Sequence, residues 1–142
     1  MKSNKKIGSD FEQLLCRKLS ELGFWVHNFA NRSNGQPVDI IAVKDGKPFI
    51  IDAKVCSNGR FQLKRIELNQ LLACHKWERC GNGEGLFAFL IEDEVYMLSL
   101  RKLKTSGFRV SIPLSYIKEH GALIDDWIAA MSKNFYIKEQ ED

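Results

Sequence analysis

Three ionisable side chains, Asp39, Asp52 and Lys54, lie on two apolar runs that flank Asp45-Gly46. That dipeptide suits the positive φ angles of a two-residue hairpin turn. With such a turn Lys44 faces Lys47, and each outward step pairs residues whose numbers sum to 91, so Asp39 lies opposite Asp52. Side chains alternate along a strand, which puts Lys54 on the same face, two residues further on. Directly opposed side chains have Cβ atoms about 4.5–5.5 Å apart, a spacing at which like charges are destabilising. A divalent cation removes the repulsion, since Mg²⁺ is held by one or two carboxylates with water and phosphate oxygens completing its octahedron. The Lys54 ammonium would then stabilise negative charge developing on a phosphate or help deprotonate a water.

The competing reading is a surface hairpin whose acids simply face solvent. Against it, both faces of the two strands are apolar: Ile41, Val43 and Ile50 on the carboxylate face, and Ile40, Ala42, Phe49 and Ile51 on the other. Strands of that kind are buried in the middle of a sheet, where charges at the strand ends need a reason. Pro48 fits the register least well, because it has no N–H to give a ladder.

The elements around this hairpin follow from periodicity and breakers. Gly8-Ser9-Asp10 offers caps for a helix whose stripe is Ile7, Phe11, Leu14, Leu15, Leu19 and Leu22, with Gly23 as its stop. Glu12 falls at the border of that stripe, a position open to a solvated glutamate and to a site member alike. A strand is predicted over Phe24–Phe29. The polar segment 30–36 leads from it directly into Asp39, and there Arg32, Ser33 and Gly35 could meet a phosphate or merely connect. Beyond Lys54 a polar loop is predicted through Gln62, then a helix from about Leu63 to Arg79. Ile66, Leu68, Leu71, Leu72 and Trp77 are its apolar contacts, and Gln70 lies one turn from Ile66. A second hairpin joins Leu86–Ile91 to Val95–Leu98 through Glu92-Asp93-Glu94. Ser99 caps a short helix to Lys104, and an edge strand is predicted over Phe108–Ile112. A helical turn runs from Pro113 to His120, and an amphipathic helix from Ala122 to Lys133. Cys74, His75 and Cys80 have the right chemistry for zinc, but their spacing matches no standard tetrad.

Composition limits the possibilities. The 142 residues, 44% hydrophobic and 27% charged, describe a globular chain with a core of its own. No apolar run approaches the roughly 20 residues that cross a membrane, and the basic N-terminus lacks the apolar region of a signal peptide. A cytoplasmic protein with free thiols is therefore expected. The net charge of +3 is unevenly spread: residues 1–80 carry 14 Lys/Arg against 8 Asp/Glu, and residues 81–142 carry 7 against 10. The carboxylate pair lies in the basic half. Lys54, Arg60, Lys64 and Arg65 follow one another with no acid between them, as suits a polyanionic substrate.

The order helix, strand, hairpin, helix, hairpin, with Glu12, Pro37-Val38-Asp39 and Asp52-Ala53-Lys54, resembles the PD-(D/E)xK nuclease superfamily. Within it the chain looks most like the archaeal-type Holliday junction resolvases and the related RecU-like enzymes. Lys6-Ile7-Gly8-Ser9-Asp10-Phe11-Glu12 is similar to their basic-Gly-x-x-x-Glu start, and Ser33-Asn34-Gly35 to a Ser/Gly-bearing loop. Phe61-Gln62-Leu63 with Asn69-Gln70 is similar to the loop and helix after the motif. The likeness spans about residues 5–100. One departure is Asp52, where these resolvases mostly carry glutamate.

The resemblance implies a restriction-endonuclease-like α/β fold, a mixed central β-sheet flanked by α-helices. It implies one domain over residues 1–142, with a core at about 5–112 and C-terminal helices at about 113–137. The implied activity is phosphodiester hydrolysis in DNA, with four-way junctions as substrate, Mg²⁺ (or Mn²⁺) as cofactor and a homodimer as the working form, in a prokaryotic or phage-encoded protein. Asp39, Asp52 and Glu12 are then metal ligands, Lys54 positions or activates the water, and Gln70 orients Lys54 or that water. Lys5, Lys6, Arg32, Ser33, Arg60, Lys64 and Arg65 are the expected DNA contacts. Two alternatives stay open: a nuclease of the same fold acting on linear duplex, and a DNA-binding module on an inactive nuclease fold.

Overall fold

Asp45 and Gly46 turn the chain with φ of 52° and 74°, the pair of left-handed residues that a two-residue hairpin needs. The computed structural model describes residues 2–29 and 37–131. Within them the chain runs α1 (Asn4–Glu21), β1 (Trp25–Asn28), β2 (Ile40–Lys44), β3 (Lys47–Cys56), β4 (Arg60–Gln62), α2 (Leu68–Arg79), β5 (Leu86–Ile91) and β6 (Glu94–Ser99). It continues through α3 (Leu100–Lys104), β7 (Ser111–Pro113), α4 (Leu114–His120) and β8 (Ala122–Leu123). A last helix, α5, occupies residues 124–131.

The hairpin register pairs Ile40 with Ile51 and Lys44 with Lys47, as the sequence requires. Pro48 fits it after all. It faces Val43, at a position whose N–H would point away from β2, and the pairing of β3 with β5 starts only at Ile51. No ladder bond is lost there.

Six strands form one sheet in the order β1-β2-β3-β5-β6-β8. The β3–β5 pair is parallel and its neighbours are antiparallel, so the sheet is mixed and β3 lies inside it. Phe11, Leu15 and Leu19 of α1, with Ile124 and Ile128 of α5, bury Ile40, Ala42, Ile51 and Ala88 on one face. On the other face Ile50, Phe87, Phe89 and Leu98 pack under Phe61, Cys74, Leu103, Ile112 and Ile117. Both faces of β3 are thus covered, which accounts for its apolar run Pro48-Phe49-Ile50-Ile51.

Several boundaries differ from the sequence expectation. Helix α1 starts at Asn4 because Ser3 Oγ accepts the Lys6 amide at 3.1 Å, and Lys2 and Lys6 both reach Asp10. Gly8-Ser9-Asp10 therefore lies inside the helix, while Gly23 ends it at φ 95° as expected. The segment read as a polar loop contains β4, which pairs with β7 in a separate two-stranded sheet. Phe61 and Ile112, directly opposed in that pair, are fully buried. The edge strand read over Phe108–Ile112 is β7, and it pairs with β4 rather than with the main sheet.

The helix expected from Leu63 is broken. A 3₁₀ turn, Leu63–Arg65, gives way to extended Ile66 (ψ 108°) and to Glu67, which caps α2. Restarting the helix changes its phase, so Leu68 and Leu72 are exposed and Gln70 is buried. Ala122 and Leu123, read as helix, pair instead with Met97 and Tyr96 of β6. The second hairpin and the Ser99-capped helix form as expected.

Candidate active site

β2 ends before β3 does, and Asp39 stands at that end. Its carbonyl accepts the Phe29 amide at 2.8 Å, so β1 and β2 stay joined for one residue beyond the regular pairs. Its side chain then takes over from the ladder, with Asp39 Oδ2 accepting the Ala53 amide at 2.9 Å. Extending the register by one step sets Asp39 against Asp52 on the face that also carries Lys54.

Asp52 is only 4% exposed. Its Oδ2 accepts from Lys54 Nζ at 2.9 Å and from Gln70 Nε2 at 3.0 Å. Its Oδ1 is buried with no hydrogen-bond partner, a costly state for a carboxylate oxygen. Lys54 Nζ also donates to the Arg65 carbonyl at 3.0 Å, and Arg65 Nη1 donates back to the Val55 carbonyl at 2.9 Å. Gln70 was expected to orient Lys54 or a water; its amide donates to Asp52 instead. Its Oε1 accepts the Glu67 amide at 2.9 Å, one half of the capping box that starts α2.

Burial is the main cause that raises the Asp52 carboxyl above the usual carboxylate range, to about 8, and the Asp39 charge adds to it. Lys54 opposes both and is outweighed. Glu12 approaches from α1, on the other face of the sheet. Half-buried, it is raised to about 7, first by burial and then by Asp39, with Lys54 again opposing. One turn further along α1, the Cys16 thiol is pushed up to about 11 by burial and by the Glu12 and Asp39 charges. Glu12 therefore shares the electrostatic field of Asp39 and Lys54. Among the described residues, however, no three His, Cys, Asp or Glu side chains form a closed ligand set.

The donors that are present fit a hard divalent cation. The Asp39 charge adds to the proton affinity of Asp52, and Asp52 keeps a buried oxygen without a partner. Such a pair is what Mg²⁺ takes from a protein when water and phosphate supply the other ligands. The cysteines are all free and contribute nothing to this cluster.

The basic residues divide into two groups. Arg60 is bound to Ser111, Nε to Oγ at 2.7 Å and Nη2 to the carbonyl at 3.1 Å, so it braces β4 against β7. Arg65 lies 5.2 Å over the Phe61 ring while it holds Val55. Lys64, between them, is exposed. Lys5 and Lys6 are exposed in the first turns of α1, with Lys6 paired to Asp10. Arg32 and Ser33 lie outside the described residues. The sequence reading missed the Lys54–Arg65 and Arg60–Ser111 contacts, which join residues far apart in the chain. The Glu67–Gln70 box had a local signal in its i, i+3 spacing, but glutamate is an uncommon cap.

The model of the archaeal Holliday junction resolvase family matches residues 3–134 of the chain. Hjc, a Holliday junction resolvase from Archaeoglobus fulgidus, superposes with a TM-score of 0.66 at 19% identity, over 85% of this chain and 99% of that one. The bacterial homing endonuclease I-Ssp6803I superposes with a TM-score of 0.57 at 15% identity, over 99% of both chains. At those identities the two structures speak to the fold, and both have the mixed sheet flanked by helices. No curated protein matches the sequence.

Proposed function

The chain belongs to the archaeal Holliday junction resolvase family, and from that premise we propose that it hydrolyses phosphodiester bonds at four-way DNA junctions with a divalent cation held by Asp39 and Asp52. The observation that carries the metal assignment is the buried, unpartnered Oδ1 of Asp52 beside the Asp39 carboxylate. Mg²⁺ suits the all-oxygen donors, and Mn²⁺ can replace it. A bound cation supplies Lewis acidity, favouring loss of a proton from water and offsetting charge on the phosphate.

The chain's own groups do the rest. The Lys54 ammonium, fixed by Asp52 Oδ2 and the Arg65 carbonyl, is placed to stabilise the extra negative charge of the transition state. Gln70 holds Asp52 from the opposite side. Glu12, in the field of Asp39 and Lys54, supports the ion as a third carboxylate from α1. Lys5, Lys6, Lys64 and, outside the described residues, Arg32 and Ser33 are the proposed phosphate contacts, with Arg60 and Arg65 shaping the surface beside them.

A four-way junction has two-fold symmetry, so a homodimer with two-fold symmetry would place one site on each cut strand. No helix among the described residues is long and apolar enough to cross a membrane, and we place the protein in the cytoplasm with its DNA.

The test is incubation with a labelled four-way junction and a matched linear duplex, with Mg²⁺ or with EDTA. Paired, near-symmetric cuts confined to the junction and abolished by EDTA are expected. Equal cutting of both substrates would favour a nuclease of linear duplex, and no cutting with any divalent ion would overturn the catalytic reading.

A further inference from the structure

Three cross-strand rows cross the carboxylate face at its β1–β2 end. Register places Trp25, Val43 and Pro48 in one row, and His27, Ile41 and Ile50 in the next. Phe29, bound through its amide to Asp39, begins the row that holds the two carboxylates. Each row lies two residues from the next, about 6.7 Å along the strands, so Trp25 stands about 13 Å from the carboxylate row.

The core on this face takes in Phe29 and Ile41 of the two rows nearer the site, and the outermost row lies beyond it. Trp25 is 63% exposed, His27 is exposed, and neither Trp25 nor Val43 is packed into either core. The aromatic rings along β1 form a continuous series. Trp25 and His27 have ring centroids 6.3 Å apart with planes 13° from parallel, and His27 meets Phe29 edge-on at 4.6 Å. Two near-parallel rings, Trp25 and His27, thus stand at the edge of the sheet, and Phe29 links them edge-on to the first carboxylate.

We infer that Trp25 and His27 form a stacking platform for a nucleobase exposed at the branch point of the DNA whose backbone lies in the Asp39–Asp52 site. The inference rests on the resolvase reading and deepens it. The occupant follows from continuity with that site: a DNA strand leaving the carboxylate row along β1 passes directly over the rings. When the arms of a junction are not coaxially stacked, as without divalent ions, the base pairs at the branch point lack a stacking neighbour, so their π faces are open there as they are nowhere along a duplex. An exposed indole supplies a matching face without reading sequence.

The test uses the 142-residue chain in EDTA, with a junction carrying 2-aminopurine beside the branch point. Wild type should change the 2-aminopurine emission; W25A should abolish that change and weaken junction binding roughly five- to hundredfold, and W25F should restore most of both. The dependence of affinity on salt should keep its slope in W25A, because stacking releases no counterions. Since Trp25 is largely outside the cores, the thermal midpoint of W25A should stay near that of wild type. W25A that binds and reports like wild type, while wild type cuts junctions, would overturn this inference alone. Conversion of a dimer to monomers in W25A would also overturn it, and would assign the rings to contact with a second copy. Failure of wild type to bind any junction would overturn the proposed function as well.

Discussion

The Gln70 amide donates to Asp52 Oδ2 at 3.0 Å, and so links the first turn of α2 to a buried carboxylate on the central strand. The same side chain caps its own helix through Glu67. Gln70→Ala removes both bonds at once and leaves Asp52 with Lys54 as its one side-chain donor. A loss of about 1–3 kcal/mol is expected when a buried polar group loses a hydrogen-bond partner, measured by chemical denaturation. Cleavage should fall while junction affinity holds, because Gln70 contacts the carboxylate and not the DNA. Loss of binding in step with cleavage would show that Gln70 acts only by holding the fold.

The apo protein should lose stability as pH rises. The Asp52 and Glu12 carboxyls are both raised above their ordinary values of 3.8 and 4.5, to about 8 and about 7. Between the unfolded and folded values the native state binds more protons than the unfolded chain, so the slope of stability against pH is negative there. The contribution is complete below about pH 4 and is lost as pH passes through 7 and 8. Denaturation in EDTA at pH 5, 7 and 9 should show this fall, and added Mg²⁺ should flatten or reverse it. An apo protein that gains stability over that range would contradict the opposed carboxylates.

Asp52→Asn separates the charge of this group from its shape. Without metal the variant should be as stable as wild type or more so, because the repulsion with Asp39 is gone. Wild type should gain about 2.7 kcal/mol when the cation is present at a hundredfold excess over its Kd, and the variant should gain much less. Junction cleavage should be lost and junction binding kept, since binding depends mainly on phosphate contacts. A variant that still cleaves at the wild-type rate would falsify the assignment of Asp52.

The two basic residues that border the site should behave differently. Lys64 is exposed, and Lys64→Ala should reduce the salt slope of duplex-arm binding by about 0.9 with the thermal midpoint unchanged. Arg60 holds Ser111 across the β4–β7 pair, so Arg60→Ala should lower the midpoint by a few degrees, as expected for about 1 kcal/mol. Equal effects on slope and midpoint in both variants would mean that the Arg60–Ser111 contact is not what sets them apart.

The contrast between these two residues also shows what the sequence made legible. The hairpin, its register and the opposed carboxylates could be read from residues 37–54, because Asp45-Gly46 and strand alternation are local properties. The strand Leu86–Ile91 was legible as a continuous apolar run and α1 from its stripe, while the mixed sheet with flanking helices was implied by the family resemblance. The break at Ile66 was not legible, since Leu63, Leu71 and Leu72 continue a helical period across it and only the capping geometry of Glu67 and Gln70 sets the true phase. Nor could polarity reveal β4, whose single buried residue, Phe61, pairs with Ile112 about fifty residues away. The roles of Arg60 and Arg65 were hidden for the same reason: a run of cations looks alike in sequence whether it faces solvent or braces a strand.

The bond from the Ala53 amide to Asp39 Oδ2 gives the site a built-in spectroscopic probe. A backbone proton that points at a carboxylate feels that carboxylate's charge through its chemical shift, and its exchange with solvent slows as the bond tightens. The Ala53 amide resonance should therefore move when a cation reaches Asp39, even when nothing has been cut. In an isotope-labelled sample, one cross-peak would follow cation occupancy of this site without any DNA present.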